Sequence, residues 1–310
     1  MMDAFRPFRA LLAGLSLAAL AALPAIAAPQ ARAQPAAQTQ TAHRRSPYIG
    51  AIAVDAATGR VLYSDMAGRE CYPASCTKLM TARLLLKAVK EGKLSMSDRL
   101  VQSKRSEREQ PSHSGLRAGE EVSVDDAMKY LMLKSANDVA VMVAERLGGS
   151  VEGFVAMMND EARALGMANT TYASPNGLPP PRGSSRGFDR STAADLAKLA
   201  RAILSEQPEI LGWTRLAKAR VPTHAGAIIE IPNHNNFLNN DYRGWRRGVK
   251  MPEADGLKTG YIDAGGSSIV LTGQRAGKRA IVVVVGSASA PEREEAAGRM
   301  LSDALGALVW

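Results

Sequence analysis

The hydrophobic pattern changes character three times along the chain. In "YIGAIAVDAATGRVLYSDMAG" two apolar runs flank Asp55-Ala-Ala-Thr-Gly59, which predicts two strands joined by a tight turn. From Ser75 the spacing becomes helical: Leu79, Met80, Leu84 and Leu85 share a face, and Gly92 stops the run just after Lys90. Residues 103–119 are charged and aperiodic, a loop. Ser123-Val-Asp-Asp126 has the form of a capping box and opens a helix through "VDDAMKYLMLK". Ser135-Ala-Asn137 interrupts it, and "DVAVMVAERLGG" resumes the helical period. Ser150 and Thr192 open "VEGFVAMMNDEARALG" and "AADLAKLARAIL" in the same way, separated by an irregular stretch over 170–190. Then "IIEIPNH", "GLKTGYI", "SSIVLTGQ" and "RAIVVVVGS" are short, β-branched and bounded by Gly or Asn, with a hairpin turn at 275–278, and 291–308 is helical again. The order strands, helices, strands, helix predicts an α+β fold. Its antiparallel sheet unites N- and C-terminal strands and packs against a helical central region.

The first 33 residues stand apart from this pattern. Arg6 and Arg9 precede the apolar run "ALLAGLSLAALAALPAIAA", and small-residue exits follow at Ala25-Ile26-Ala27 and Ala31-Arg32-Ala33. That is the layout of a secretory signal peptide over 1–33; the alternative is an uncleaved anchor, which would bring membrane contact. Residues 34–46, "QPAAQTQTAHRRS", are polar and aperiodic and predict a flexible linker. Residues 47–310 remain as the functional domain. Loss of Arg6, Arg9, Arg32 and Asp3 with the signal would lower the net charge from +9 to +7. The basic residues are scattered and not interleaved with aromatics, which argues against nucleic acid.

Two cysteines, Cys71 and Cys76, make no disulfide scaffold, though export permits a bond between them. Cys76 falls in the turn after Ser75, where a small residue packing inward suits it. The histidines (His43, His113, His224, His234) lack metal-ligand spacing, and no nucleotide-binding fingerprint is present, so neither metal nor cofactor is expected.

The chemistry begins in "PASCTKLMTA". Residues at i and i+3 share a helix face, so Ser75 and Lys78 stand side by side. A serine hydroxyl needs a base within hydrogen-bond reach, and a lysine serves only when neutral. Burial and a neighbouring cation both favour that state, and Lys258 is the expected cation. Ser75-Cys-Thr-Lys78, Ser135-Ala-Asn137 and Lys258-Thr-Gly260 follow in the order S-x-x-K, S-x-N, K-T-G. With "LKSANDVAVMVAE", "ASPNGL" and "DGLKTGYIDAGGSS", the chain resembles the low-molecular-mass penicillin-binding proteins of the D-alanyl-D-alanine carboxypeptidase family, serine D,D-peptidases, over nearly the whole domain.

The resemblance implies a β-lactamase/D,D-peptidase-like fold and a periplasmic enzyme, secreted across the inner membrane. Such an enzyme removes the terminal D-Ala from peptidoglycan stem pentapeptides through a Ser75 acyl-enzyme that penicillin and other β-lactams would trap. Lys78 takes the serine proton, Ser135 relays a proton to the leaving amine, and Asn137 holds the substrate's peptide carbonyl. The backbone N–H groups of Ser75 and Tyr261, the residue after Gly260, form the oxyanion hole. Lys258 and Thr259 lie on an edge strand against which the peptide pairs. The terminal carboxylate falls to Thr259 or to Arg293, for which a surface-helix role is the alternative. Ser135 and Asn137 also suit a helix cap, and Lys258 a solvated edge.

Two departures from the family stand out. "DYRGWRRGVKMPEADG" is long and basic, and Arg243, Arg246, Arg247 and Lys250 suit stem-peptide carboxylates or a solvated loop. Only about 50 residues follow Gly260, so neither a C-terminal β-rich domain nor an amphipathic anchor is expected. A D,D-endopeptidase acting on cross-links is the alternative activity. A class A β-lactamase is disfavoured because no glutamate motif for water activation lies between Asn137 and Lys258, and a catalytically dead wall-binding scaffold by the intact motifs.

Overall fold

The computed structural model describes residues 46–239 and 251–309. The expected signal segment, most of the linker and the four basic residues of 243–250 lie outside the described residues.

The predicted hairpin forms β1 (Gly50–Asp55) and β2 (Val61–Asp65). The last strands are β7 (Ala254–Ile262), β8 (Gly266–Arg275) and β9 (Lys278–Ser287), followed by helix α7 (Ala290–Val309). They build one antiparallel sheet in the order β2-β1-β9-β8-β7, so β1 from one end of the chain pairs with β9 from the other. The register sets Ile52 opposite Val283 and Val54 opposite Ile281. Alternation then sorts the side chains by face. Ile52, Val54, Val270, Ile281 and Val283 join the core shared with the central helices. Ala51, Ala53, Ile269, Leu271, Val282 and Val284 meet Ala297, Leu301 and Leu305 of α7. Burial on both faces is why β9 reads as an unbroken apolar run.

The central region holds α1 (Lys78–Lys90), α2 (Val124–Lys129), α3 (Asn137–Gly148), α4 (Val151–Ala164), α5 (Ala193–Glu206) and the short α6 (Leu211–Thr214). The expected caps are in place: the hydroxyls of Ser123, Ser150 and Thr192 accept from the N–H groups of Asp126, Gly153 and Asp195. Three strands were not predicted. β3 (Arg99–Val101) and β4 (Glu121–Ser123) pair as three-residue strands at the base of the 103–119 segment, too short to show a period. "IIEIPNH" does form a strand, β6 (Ile228–Pro232). However, it pairs with β5 (Lys218–Pro222) in a separate ribbon and does not extend the sheet. Among the described residues no helix is long and apolar enough to cross a membrane.

Candidate active site

Ser75 lies in a 3-10 turn, Ala74–Thr77, that runs directly into α1. Positions i and i+3 eclipse in a 3-10 turn, which brings Lys78 under the serine more closely than an α-helix would. Lys78 Nζ is 3.0 Å from Ser75 Oγ, 2.7 Å from Asn137 Oδ1 and 2.7 Å from the main-chain oxygen of Asn176. The lysine is 0% exposed. Burial first, and the Lys258 charge second, hold its pKa well below the ordinary lysine value. The partners then fix the proton arrangement. Two of the three are carbonyl oxygens, which only accept, so the two hydrogens of a neutral amine go to them. The remaining lone pair faces the Ser75 hydroxyl, the disposition a general base requires.

The S-x-N motif enters from the other side. Tyr130–Lys134 continues α2 as a wider π-type turn, and Ser135 ends it in the left-handed region at φ 60°. The chain then enters α3 at Asn137, whose N–H donates to the Ser112 carbonyl oxygen. No side-chain cap opens α3, so the capping alternative for Ser135 and Asn137 is not realised. Asn137 bonds Lys78, and Ser135 Oγ is buried with no hydrogen-bond partner among the described residues. A buried hydroxyl left so costs about 1–3 kcal/mol, which an arriving substrate would offset. The next residue, Asp138, is buried and accepts from Ser114 N–H, Ser114 Oγ and Gln102 Nε2, which ties the 103–119 segment to the site.

Strand β7 forms the third wall and is, among the described residues, a free edge of the sheet. Gly260 abuts the serine turn: a Cβ there would lie 2.9 Å from the Pro73 carbonyl oxygen and 3.0 Å from Ser75 N. Behind the serine, the Cys76 thiol contacts the Lys258 carbonyl oxygen at 3.7 Å. Lys258 is 1% exposed, not solvated, and burial with the Arg293 charge lowers its pKa to about 8. Its Nζ donates to the Thr259 carbonyl oxygen at 2.9 Å. Thr259 is buried, while Tyr261 is exposed and its hydroxyl donates to Asp263. Arg293 is no surface-helix residue: it is buried at the start of α7, paired at 2.9 Å with Glu294, whose carboxylate also accepts from Asn236. Cys71 and Cys76 are both buried free thiols, and burial pushes their pKa values up to about 12 and about 11. Among the described residues no group of three potential ligands could hold a metal.

Sequence reasoning singled out "ASPNGL" only as part of the resemblance and gave it no role in closing the site. Residues 173–177, within "ASPNGL", carry the carbonyl oxygens of Pro175 and Asn176, which accept from Thr81 Oγ1 at 2.6 Å and Lys78 Nζ at 2.7 Å. Asp189 fastens this segment. Buried at 4% exposure, it accepts from the N–H groups of Ala173 and Ser174, the Ser174 hydroxyl and Thr77 Oγ1. Burial raises its pKa. Glu109 reaches the same segment through Asn176 Nδ2 at 3.1 Å. The turn chemistry of Pro-Asn-Gly was visible; that a main-chain oxygen would hold the lysine was not, since a carbonyl leaves no mark on residue type.

The family model for D-alanyl-D-alanine carboxypeptidase matches residues 36–289. D-alanyl-D-alanine carboxypeptidase DacF of Bacillus subtilis is 32% identical over 252 residues, covering 81% of this chain and 60% of that protein. DacC of Escherichia coli is 31% identical over 242 residues, covering 76% and 56%. This chain therefore spans about 60% of the length of the curated relatives it matches. Among solved structures, D-alanyl-D-alanine carboxypeptidase DacD from Francisella tularensis superposes with a TM-score of 0.72 at 25% identity, over 82% of this chain and 69% of that one. Penicillin-binding protein D2 from Listeria monocytogenes, in its cefotaxime-bound form, gives 0.70 at 30% identity, over 83% and 97%. The fold is thus the α+β fold of the low-molecular-mass penicillin-binding proteins. On the family match over most of its length, the chain belongs to the D-alanyl-D-alanine carboxypeptidase family.

Proposed function

We propose that this protein is a serine-type D-Ala-D-Ala carboxypeptidase that shortens peptidoglycan stem pentapeptides by one residue. The observation that carries this reading is the buried Lys78 amine, bonded to two carbonyl oxygens and turned toward Ser75 Oγ at 3.0 Å. Ser75 attacks the carbonyl between the two terminal D-alanines, and Lys78 accepts its proton. The N–H groups of Ser75 and Tyr261 stabilise the oxyanion, a role favoured by the tight packing of Gly260 on the serine turn. Ser135, buried without a partner among the described residues, passes a proton to the departing amine. The same N–H pair then stabilises attack of water on the acyl-enzyme, which releases the shortened stem and regenerates Ser75.

Recognition follows the charges. The substrate lies along the free edge of β7, with Asn137 on its peptide carbonyl. Its terminal carboxylate meets Thr259 in the positive field of Lys258 and Arg293. Arg293 is held by Glu294, so it acts through that field more than by direct contact. The cefotaxime complex of the Listeria relative supports β-lactams as covalent inhibitors of Ser75 here. Export through the 1–33 segment would place the enzyme in the periplasm, with membrane contact only if that segment is retained.

The test uses purified protein, a pentapeptide monomer, a cross-linked dimer and a Ser75→Ala control, followed by mass spectrometry. Loss of one alanine from the monomer with the dimer intact is the expected result. Conversion of dimer to monomers would instead assign a D,D-endopeptidase. No change in either, with no penicillin adduct on Ser75, would sink the proposal.

A further inference from the structure

One carboxylate at the site has no part in the cycle above. Glu109 lies in the 103–119 segment that walls the site beside Asn137, since Ser112 just beyond it accepts from the Asn137 N–H. The carboxylate is half-buried and accepts one hydrogen bond, from Asn176 Nδ2 at 3.1 Å through Oε2. Among the described residues it forms no ion pair within 4.0 Å. Burial raises its pKa, and the nearest cations, Arg186, Arg105 and Lys78, act on it only across a gap. Arg186 is occupied elsewhere, donating to the carbonyl oxygens of Ala173, Leu178 and Pro179. Glu109 and Arg186 thus grip the same segment without touching. A half-buried carboxylate without a cationic partner is costly for structure alone, and an incoming ammonium would relieve it.

Its distance from the chemistry identifies what would bring that ammonium. From Ser75 Oγ the path runs to Lys78 Nζ, to the Asn176 carbonyl oxygen, across that residue to Nδ2, and on to Glu109. It amounts to roughly 14 Å at most, an upper bound on the direct separation. In a stem peptide the residue attacked at Ser75 is the fourth, and the third is a diamino acid. From the scissile carbonyl back to the third Cα and out along a four-carbon side chain is about 11 Å when extended.

We propose that Glu109 is a specificity-determining residue that pairs with the free side-chain ammonium of the stem's third residue, selecting stems whose amine is not yet acylated. This rests on the carboxypeptidase reading, and the closing experiment separates the two. A stem whose third-residue amine is already in a cross-link presents an amide there, which cannot answer a carboxylate.

The test compares two pentapeptides ending in D-Ala-D-Ala that differ only in position three, lysine against Nε-acetyl-lysine, with kcat/KM measured for each. Wild type is expected to favour lysine by about fivefold, mostly through KM, a size suited to one partly screened ion pair. Glu109→Gln keeps an oxygen for Asn176 and should bring the ratio to about one. The ratio is taken within each enzyme, so any general loss of activity cancels. A lysine preference that survives in Glu109→Gln overturns the proposal. So does a variant that acylates but loses turnover equally on both peptides, which would make Glu109 an activator of the hydrolytic water. If wild type cleaves neither peptide and forms no penicillin adduct, the underlying carboxypeptidase reading has failed instead.

Discussion

Gly177 offers a direct test of whether the 173–177 segment sets the catalytic geometry. Its φ is +83°, in the left-handed region, and an added Cβ would lie 1.9 Å from the Ala74 carbonyl oxygen and 3.0 Å from Ser75 N. Ordinary contact begins near 3.4 Å, so Gly177→Ala forces the segment and the serine turn apart by about 1.5 Å. Neither side yields freely. Asp189 holds the segment by three hydrogen bonds and the serine turn by a fourth, from Thr77, and Thr81 holds Pro175. The contact that gives way is Lys78 to the Asn176 oxygen, now 2.7 Å, or Ser75 itself moves. A left-handed alanine costs about 1–2 kcal/mol and one broken buried hydrogen bond about 1–3 kcal/mol. Together they predict a loss of roughly 3 kcal/mol and a Tm lower by roughly 10 °C for a domain of this size. Displacing the base or nucleophile by about 1 Å should slow acylation by a fluorescent penicillin roughly 100-fold.

The control is Gly183→Ala. Gly183 has a similar φ of +77° but, among the described residues, nothing within 4 Å of the added Cβ, so it incurs the backbone cost alone. Acylation should then stay at the wild-type rate, with Tm down by only a few degrees. Wild-type acylation in Gly177→Ala, or equal losses in both variants, would refute the claim that this segment positions Lys78.

Two further outcomes follow from buried charge. Acylation needs Lys78 neutral, so its rate should rise with pH through a pKa far below that of free lysine. It should fall again near pH 8, where Lys258 loses the charge that attracts the ligand carboxylate. In Lys258→Gln the limb near pH 8 should vanish and the acid limb should move to higher pH, because one cation opposing Lys78 protonation is gone; a persisting limb near 8 would assign it to another group. Away from the site, Arg83 is buried and pairs with Glu161 and Glu206 at 2.8 Å, while Lys87 also meets Glu161. Arg83→Met leaves the buried Glu161 carboxylate with Lys87 as its remaining cation and should cost about 3 kcal/mol in a thermal melt; a change under 1 kcal/mol would show that Lys87 alone suffices.

What could be read in advance was what residue type and period encode. Short apolar runs bounded by turn residues gave β1, β8 and β9, and a helical repeat gave α1, α4 and α5, because a strand buried on both faces needs no polar positions and a helix buried on one side does. The three motifs gave Ser75, Lys78, Asn137 and Lys258, since the proposed nucleophile, base and cation must be particular side chains. The segments that make these residues work are another matter. Lys78 is held by a carbonyl oxygen that every residue possesses, so Asn176 carries no signature of that contact in its own identity. Asp189 sits 112 positions from Thr77, the hydroxyl it accepts from, and its burial follows from the path of an aperiodic segment. Glu109 falls in a charged stretch where one more acid draws no notice, and only its place beside Asn176 separates it from the solvated acids around it. Main-chain contacts and long-range closure arise from how loops cross, and hydrophobic period says least about loops. The sequence could therefore name the proposed reacting pair before it could name the groups that hold Lys78 at 3.0 Å from Ser75.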